Sequence, residues 1–226
     1  MTPPLRTVLV DIDGTLIDSN EAHTRAWLKV LARHHHERTY EAIRPLIGKG
    51  GDKLLADVLG PDSDAIDVNA LGNERGALFL SGELHQLEPT RGARALLQKL
   101  HDAGLQVVVA TSAKAEETHA LLRQAGLEDL IDRAANADDA DESKPAPDII
   151  QSALRKSGTR PSEAVMLGDT PYDIEAARKA GVATVILRCG GWWNDDAFAG
   201  AAAIYDDPAD LLDAFDESPL SPVART

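Results

Sequence analysis

The chain has 226 residues, 43% of them hydrophobic, enough for a full core and for one large domain or a domain carrying an insert. A formal charge of -14 argues against a nucleic-acid backbone or an anionic membrane surface as partner. The single cysteine, Cys189, excludes an internal disulfide and suits a reducing cytosol. Nothing behind Met1–Arg6 reads as a signal peptide or membrane span, so a cytoplasmic protein is expected.

The first predicted strand is Thr7-Val8-Leu9-Val10, too short for a buried helix and rich in β-branched residues, as interior strands of parallel sheets are. The stretch Val8 to Ser19, V-L-V-D-I-D-G-T-L-I-D-S, leaves this strand on two carboxylates, Asp11 and Asp13, which point to one side of an extended segment. At the carboxyl end of a buried strand, where open α/β sheets bind ligands, such a pair is costly unless a cation lies between the two or one takes up a proton. An EF-hand loop also begins D-x-D, but it needs glycine sixth and glutamate twelfth, and here Gly14 is fourth and Ala22 twelfth. A receiver domain carries its phosphate-accepting aspartate on a later strand. Two turn aspartates that only cap the next segment are the plain alternative.

The pattern then becomes helical. Asp18 or Ser19 is expected to cap a helix from Asn20 towards Glu37, with Ala22, Ala26, Trp27, Val30 and Leu31 as its apolar face. His34, His35 and His36 fan out over different faces of its tail and read as solvated. From Thr39 to about His85 the chain looks helical throughout, with apolar faces at Ile43 to Ile47, Leu54 to Leu59 and Ala70 to Leu80. Within it, Ile47-Gly48-Lys49-Gly50-Gly51-Asp52-Lys53 reads as a flexible loop able to lower Lys49 into a site, or as an ordinary turn with a solvated lysine. Arg44, Lys49 and Lys53 are compatible with an anionic substrate.

Ala95, Leu96, Leu97 and Leu100 mark the next helix, stopped by Gly104. The strand Leu105 to Ala110 follows and ends on Thr111-Ser112, a hydroxyl pair ahead of a helix near Ala115 and suited to hold a phosphate oxygen. Leu130 to Ala134 is a third strand, and Asp138 to Glu142 an acidic, solvated loop leading into Ser143-Lys144-Pro145-Ala146-Pro147-Asp148 and a helix. A fourth strand, Ala164 to Leu167, runs directly into Gly168-Asp169-Thr170-Pro171-Tyr172-Asp173, acidic again at a strand's carboxyl end. The helix Ile174 to Ala180 stops at Gly181, and Val182 to Leu187 is a fifth strand. Trp192 and Trp193, in the loop beyond, read as packing groups or as a shield over a site. The tail beyond Asp216 reads as loosely ordered.

D-x-D, Thr, Lys and G-D each stand at the end of an apolar run or the start of the next helix. Parallel strands alternating with helices collect such ends on one edge, which brings Asp11, Asp13, Thr111, Lys144, Asp169 and Asp173 together. The chemistry such a set allows is phosphoryl transfer. Two carboxylates, a carbonyl and a substrate phosphate suit Mg2+, which prefers six oxygen ligands. Because the chain's overall charge repels phosphate, local positive charge must come from the metal, a lysine and helix N-termini.

In this order, D-x-D-G-T-L-x-D-S, Thr111-Ser112, Lys144-Pro145 and G-D-T-x-x-D resemble motifs I to IV of the haloacid dehalogenase superfamily, most of whose members are magnesium-dependent phosphatases. The resemblance runs from roughly Leu5 to Tyr205 and is to the phosphoglycolate phosphatase and β-phosphoglucomutase-like subfamily. It implies an α/β fold, a doubly wound Rossmann-like parallel sheet core with a small α-helical cap, divided as 1–17 and 86–226 for the core and 18–85 for the cap. It further implies Asp11 as nucleophile and Asp13 as the acid and base. Asp11 and Asp169 would be carboxylate ligands of Mg2+ and Asp13 would bind it through its backbone carbonyl. Asp173 would hold the metal's water or Lys144. Thr111, Ser112 and Lys144 would bind the phosphoryl group, with Lys49 and Arg44 reaching the substrate from the cap. Val10 departs from the phenylalanine common in the family, at a packing position behind the nucleophile. Metal-independent dehalogenases lack the second aspartate, so Asp13 favours phosphate substrates. The expected function is hydrolysis of a small phosphorylated metabolite through an aspartyl-phosphate. A phosphomutase, a phosphonatase using Lys49 and a non-catalytic binding protein are the alternatives, and a monomer and a homodimer both fit.

Overall fold

Thr7–Val10 (β1) carries no polar face, and all four of its residues are buried between two parallel neighbours. In the computed structural model, which describes residues 3–60 and 67–222, it is a central strand of a six-stranded parallel sheet. The other strands are Gln106–Ala110 (β2), Arg133–Ala135 (β3), Ala164–Gly168 (β4), Ala183–Leu187 (β5) and Ala203–Tyr205 (β6), in the order β3-β2-β1-β4-β5-β6. The order reverses between β1 and β4, and at that point a doubly wound sheet opens a crevice. In the register, Val10 is level with Val109 and with Leu167. The residues leaving the sheet there, Asp11, Thr111 and Asp169, therefore end adjacent strands within one position of each other.

Alternate residues of each strand feed opposite faces. Val8 and Val10 pack with Leu96, Leu97 and Leu100 of the helix Ala93–Asp102, and Leu9 packs with Ile149, Ile150 and Ala153 of Asp148–Ser157. Both faces being covered explains why these strands are continuous apolar runs. Burying one such Leu or Val stabilises the fold by about 1.5–3 kcal/mol. Among the described residues no helix is long and apolar enough to cross a membrane.

In chain order the helices are α1 (Asn20–Arg33), α2 (Tyr40–Ile43), α3 (Gly51–Leu59), α4 (Val68–Leu78), α5 (Ala93–Asp102), α6 (Ala115–Gln124), α7 (Asp148–Ser157), α8 (Pro171–Lys179) and α9 (Pro208–Asp213). The helices α1 to α4 share a separate apolar cluster around Trp27, Leu31, Ile43, Leu54, Leu55 and Leu71. The helical reading of 39–85 holds for these pieces, with residues 61–66 outside the described residues.

Several expectations are corrected. Helix α1 ends at Arg33, not Glu37; Ser19 stands at its N-cap position as expected, but its hydroxyl donates to Asp13 and makes no bond to the helix backbone. The third strand is three residues long and starts after a 3-10 turn at Glu128–Leu130. The sixth strand, three residues of intermediate burial at the end of the apolar run Ala201 to Tyr205, was not foreseen. The acidic stretch is not merely solvated: Asp138 accepts from the Ala115 N–H at 3.0 Å, and Asp139 pairs with Lys156 at 2.6 Å. The tail beyond Asp216 is packed as far as it is described, with Leu220 fully buried in the main core; residues 223–226 lie outside the described residues.

Candidate active site

Asp11 and Asp169, each almost fully buried, face each other across the β1–β4 crevice. Their close approach depends on glycine: a Cβ on Gly14, which has φ +72°, or on Gly190 would collide with the Asp169 carboxylate. Asp169 accepts from the Thr15 hydroxyl at 3.2 Å and from the Asn20 amide at 2.9 Å. Lys144, just before α7, is fully buried, with Nζ 3.0 Å from Asp11 Oδ1 and 2.7 Å from Asp173 Oδ1. The second oxygen of Asp173 is taken by the Thr170 N–H and hydroxyl, at 3.1 and 2.7 Å, in the capping box that starts α8. Asp173 thus holds Lys144 and helix α8 at once.

The electrostatics are unbalanced. Asp11, Asp169 and Asp173 crowd together with one lysine among them. Burial pushes the Asp11 carboxyl up to about 7 even though Lys144 opposes it. Asp169 is raised well above the usual carboxylate range by burial and then by the charges of Asp173 and Asp11. Burial would lower Lys144, but Asp11 and Asp173 outweigh it and raise the ammonium group's pKa. Lys144 Nζ, 3.0 Å away, is the one partner of Asp11 Oδ1 among the described residues, and no other donor reaches that buried oxygen. Ligand atoms of Asp11, Asp169 and Asp173 lie within 4.8 Å of one another, an all-oxygen set suited to a hard cation such as Mg2+.

Asp13 lies on the open side of the crevice in a different setting. Burial would raise its carboxyl, but His23 and Ser19 outweigh this and hold it below the usual range. Ser19 donates to it, and His23 Nε2 lies 2.7 Å from Oδ1. Arg75 donates to His23 Nδ1 at 3.2 Å, which leaves Nε2 as the protonated nitrogen that faces Asp13. Arg75 is itself held by both oxygens of Glu117, at 3.0 and 2.9 Å, and the His23 ring stacks on Phe79 at 4.1 Å. The chain Asp13, His23, Arg75, Glu117 thus ties the first loop to α1, α4 and α6.

Asp11, Asp13, Thr111, Ser112 and Lys49 line one small pocket of about 40 Å³. The Thr111 hydroxyl accepts from the Ala113 N–H at 3.1 Å, while the buried Ser112 hydroxyl has no partner. Lys49 lines the pocket, but its ammonium group pairs with Asp57 and lies 4.9 Å from the Tyr172 ring. Arg44 is buried on the Asp169 side of the crevice: it donates to the Gly190 carbonyl, which the Asn20 amide also reaches at 3.1 Å, pairs with Glu21 at 3.5 Å and sits over Trp192. Lys53 pairs with Glu142 at 2.8 Å. The structure therefore brings the core residues together and turns the three cap cations towards protein partners. Thr15, Ser19, Asn20, His23, Arg75 and Glu117 were not foreseen. The available signal was on α1, where Asn20, His23 and Thr24 interrupt a face that otherwise buries Ala22, Ala26 and Trp27.

A buried carboxylate cluster with one lysine, at the switch point of a doubly wound sheet, marks a candidate enzyme site whose oxygens could hold a hard cation. The chain belongs to the haloacid dehalogenase-like hydrolases, whose family model matches residues 8–187. It is 33% identical over 218 residues to a phosphoglycolate phosphatase from Rhodospirillum rubrum, covering 92% of this chain and 90% of that one. It is 27% identical over 181 residues to the fructose-1-phosphate phosphatase YqaB of Escherichia coli, covering 80% and 95%. The crystal structure of a hydrolase from Pseudomonas syringae superposes with a TM-score of 0.85 at 28% identity, over 94% of this chain and 98% of that one.

Proposed function

We propose that the protein is a magnesium-dependent phosphatase that hydrolyses a small phosphomonoester through an aspartyl-phosphate on Asp11. The observation that carries the reading is Asp11 itself, a buried carboxylate whose Oδ1 has Lys144, 3.0 Å away, as its one partner among the described residues, with Asp13 two positions on. The names of relatives on two different phosphorylated substrates support the reaction class. Asp11 and Asp169 fit Mg2+ as carboxylate ligands, with the Asp13 carbonyl completing the protein's share and Asp173 fixing Lys144 beside them. Bound there, the metal would neutralise charge on the phosphoryl oxygens and on Asp11.

The steps then fall to the chain's own groups. Lys144 and the Thr111 and Ser112 hydroxyls bind and orient the phosphoryl group. Asp11 attacks phosphorus in line with the departing oxygen. Asp13 protonates that oxygen and later takes a proton from the water that hydrolyses the acyl phosphate. For the second task it is already a carboxylate, held in place by Ser19 and His23; for the first it must gain a proton when substrate arrives. Residues 18–85 serve as the cap, consistent with their separate apolar cluster. Reaction products that are small and soluble, and a chain with one cysteine, suit the cytoplasm.

The test is free-phosphate release from a panel of phosphorylated metabolites, with and without Mg2+. Asp11→Asn, nearly isosteric, is expected to keep the fold and lose at least about 10³-fold in kcat. Magnesium-independent release, or full activity in Asp11→Asn, removes the reading.

A further inference from the structure

Helix α2 runs into a 3-10 turn, Arg44–Leu46, that straddles the two core loops on either side of Asp169. On one side Arg44 donates to the carbonyl of Gly190, in the turn that follows β5. On the other, the Tyr172 hydroxyl, in the first turn of α8, donates to the Pro45 carbonyl at 2.7 Å, and Gly48 packs so closely on Thr170 that a Cβ would collide with it. Gly190 lies against Asp169, where a Cβ would strike the carboxylate. Asn20 closes the arrangement, its amide nitrogen donating to Asp169 at 2.9 Å and to the Gly190 carbonyl at 3.1 Å. Arg44 and Asp169 are thus joined through one carbonyl and one amide. Arg44 is 3% exposed and its ion pair, with the exposed Glu21, is at 3.5 Å, loose company for a buried guanidinium. It borders neither the small pocket that Asp11 lines nor the larger cavity of about 520 Å³ beside it. Its charge does reach Asp169: burial and the charges of Asp173 and Asp11 raise that carboxyl, and the Asn20 hydrogen bond and the Arg44 charge oppose them.

We infer that Arg44 is a positioning residue for the cation site: by clamping the Gly190 carbonyl it holds that loop against Asp169, and so couples Mg2+ binding to docking of the helical segment on the core. The inference rests on the reading of Asp11 and Asp169 as Mg2+ ligands. Mg2+ demands near-ideal octahedral geometry, and removing a group that orients a metal's ligands typically costs about 10–100-fold in affinity. The coupling is reciprocal, so what docking adds to Mg2+ affinity, Mg2+ adds to docking. A role through charge alone has the opposite sign. A guanidinium beside the site repels a divalent cation, and removing it would tighten binding. Arg44→Lys separates the two, because it keeps the charge and gives up the planar fork of donors.

The experiment is calorimetric titration of Mg2+ into the chelator-treated full chain, for the wild type, Arg44→Lys and Arg44→Met. Binding about tenfold weaker in both variants is the expected result. Tyr172→Phe releases Pro45 on the other side of the turn without touching the buried guanidinium, and is expected to weaken Mg2+ binding severalfold. Hydrogen exchange reads the reciprocal effect: Mg2+ is expected to slow amide exchange in 43–48 and 188–191 of the wild type, and to do so much less in Arg44→Lys. Mg2+ affinity unchanged in Arg44→Lys, or tighter in Arg44→Met, leaves Arg44 a charge and nothing more, and overturns the inference. Unchanged affinity in Tyr172→Phe, or exchange in both segments indifferent to Mg2+, overturns the coupling to docking. All of these leave Asp11 and Asp169 as ligands, whereas a wild type that binds no Mg2+ overturns that reading as well.

Discussion

At the scale of single residues, the site is a set of carboxylates that the protein alone does not neutralise. The Asp11 carboxyl, ordinarily near 3.8, is raised to about 7 by burial, with Lys144 opposing, so in metal-free protein the folded state binds its proton more tightly than the unfolded chain does. The stability this contributes is complete below pH 3.8 and is lost as pH rises towards 7. Asp13 and Glu163 are lowered, so their contributions change only in more acidic solution, and Lys144 is raised, so its change lies above the ordinary lysine range. In chelator, the melting temperature is therefore expected to fall from about pH 5 to pH 7.5, and added Mg2+ is expected to raise it more at the upper end, where protons no longer compete. A metal effect independent of pH would contradict the assignment of Asp11 as ligand. The pair Asp11 and Asp13, and Asp169, were legible because each ends an apolar run abruptly. Thr15 and Asn20 were not, because their role exists only once the chain has folded: each bonds Asp169, from 154 and 149 positions away. The same holds for His23, a lone polar residue on a helix until Asp13 and Arg75 meet it.

At the scale of elements, the strands that build the sheet's centre were legible from their β-branched runs, and their ends carried the site with them. What escaped was held by packing, not by pattern. The strand β6, only three residues in a short alanine-rich run, forms against the open edge of β5. The segment after Asp216, with two prolines and two serines between 218 and 222, has the composition of a loose tail, yet Leu220 is as buried as any sheet residue. Leu220→Ala is accordingly expected to lower stability by about 2–5 kcal/mol in chemical denaturation, the range for a core leucine. A change under about 0.5 kcal/mol, as for a surface residue, would return the tail to its composition-based reading. Lys49 and Arg44 were read as substrate contacts by charge alone; in the structure Lys49 lines the pocket of Asp11 and Asp13 while pairing with Asp57, and Arg44 engages Glu21 and the Gly190 carbonyl.

At the scale of the whole molecule, a net charge of -14 opposes the approach of a phosphate dianion, while the site's own cations act only at short range. Salt screens the long-range part first, since the Debye length falls from about 30 Å at 0.01 M to about 8 Å at 0.15 M. For a dianionic ester at constant free Mg2+, kcat/KM is expected to rise severalfold over that interval; a steady fall would mean that an attractive field dominates encounter. The proposed turnover depends on one bond, from an Asp11 oxygen to phosphorus, and that bond can be trapped. With substrate and Mg2+ present, rapid quenching into borohydride reduces an acyl phosphate to an alcohol, and peptide mass spectrometry locates it. Asp11 converted to homoserine, only when both substrate and metal are supplied, is the predicted result. Steady turnover with no conversion at Asp11, or conversion at another carboxylate, would contradict the account.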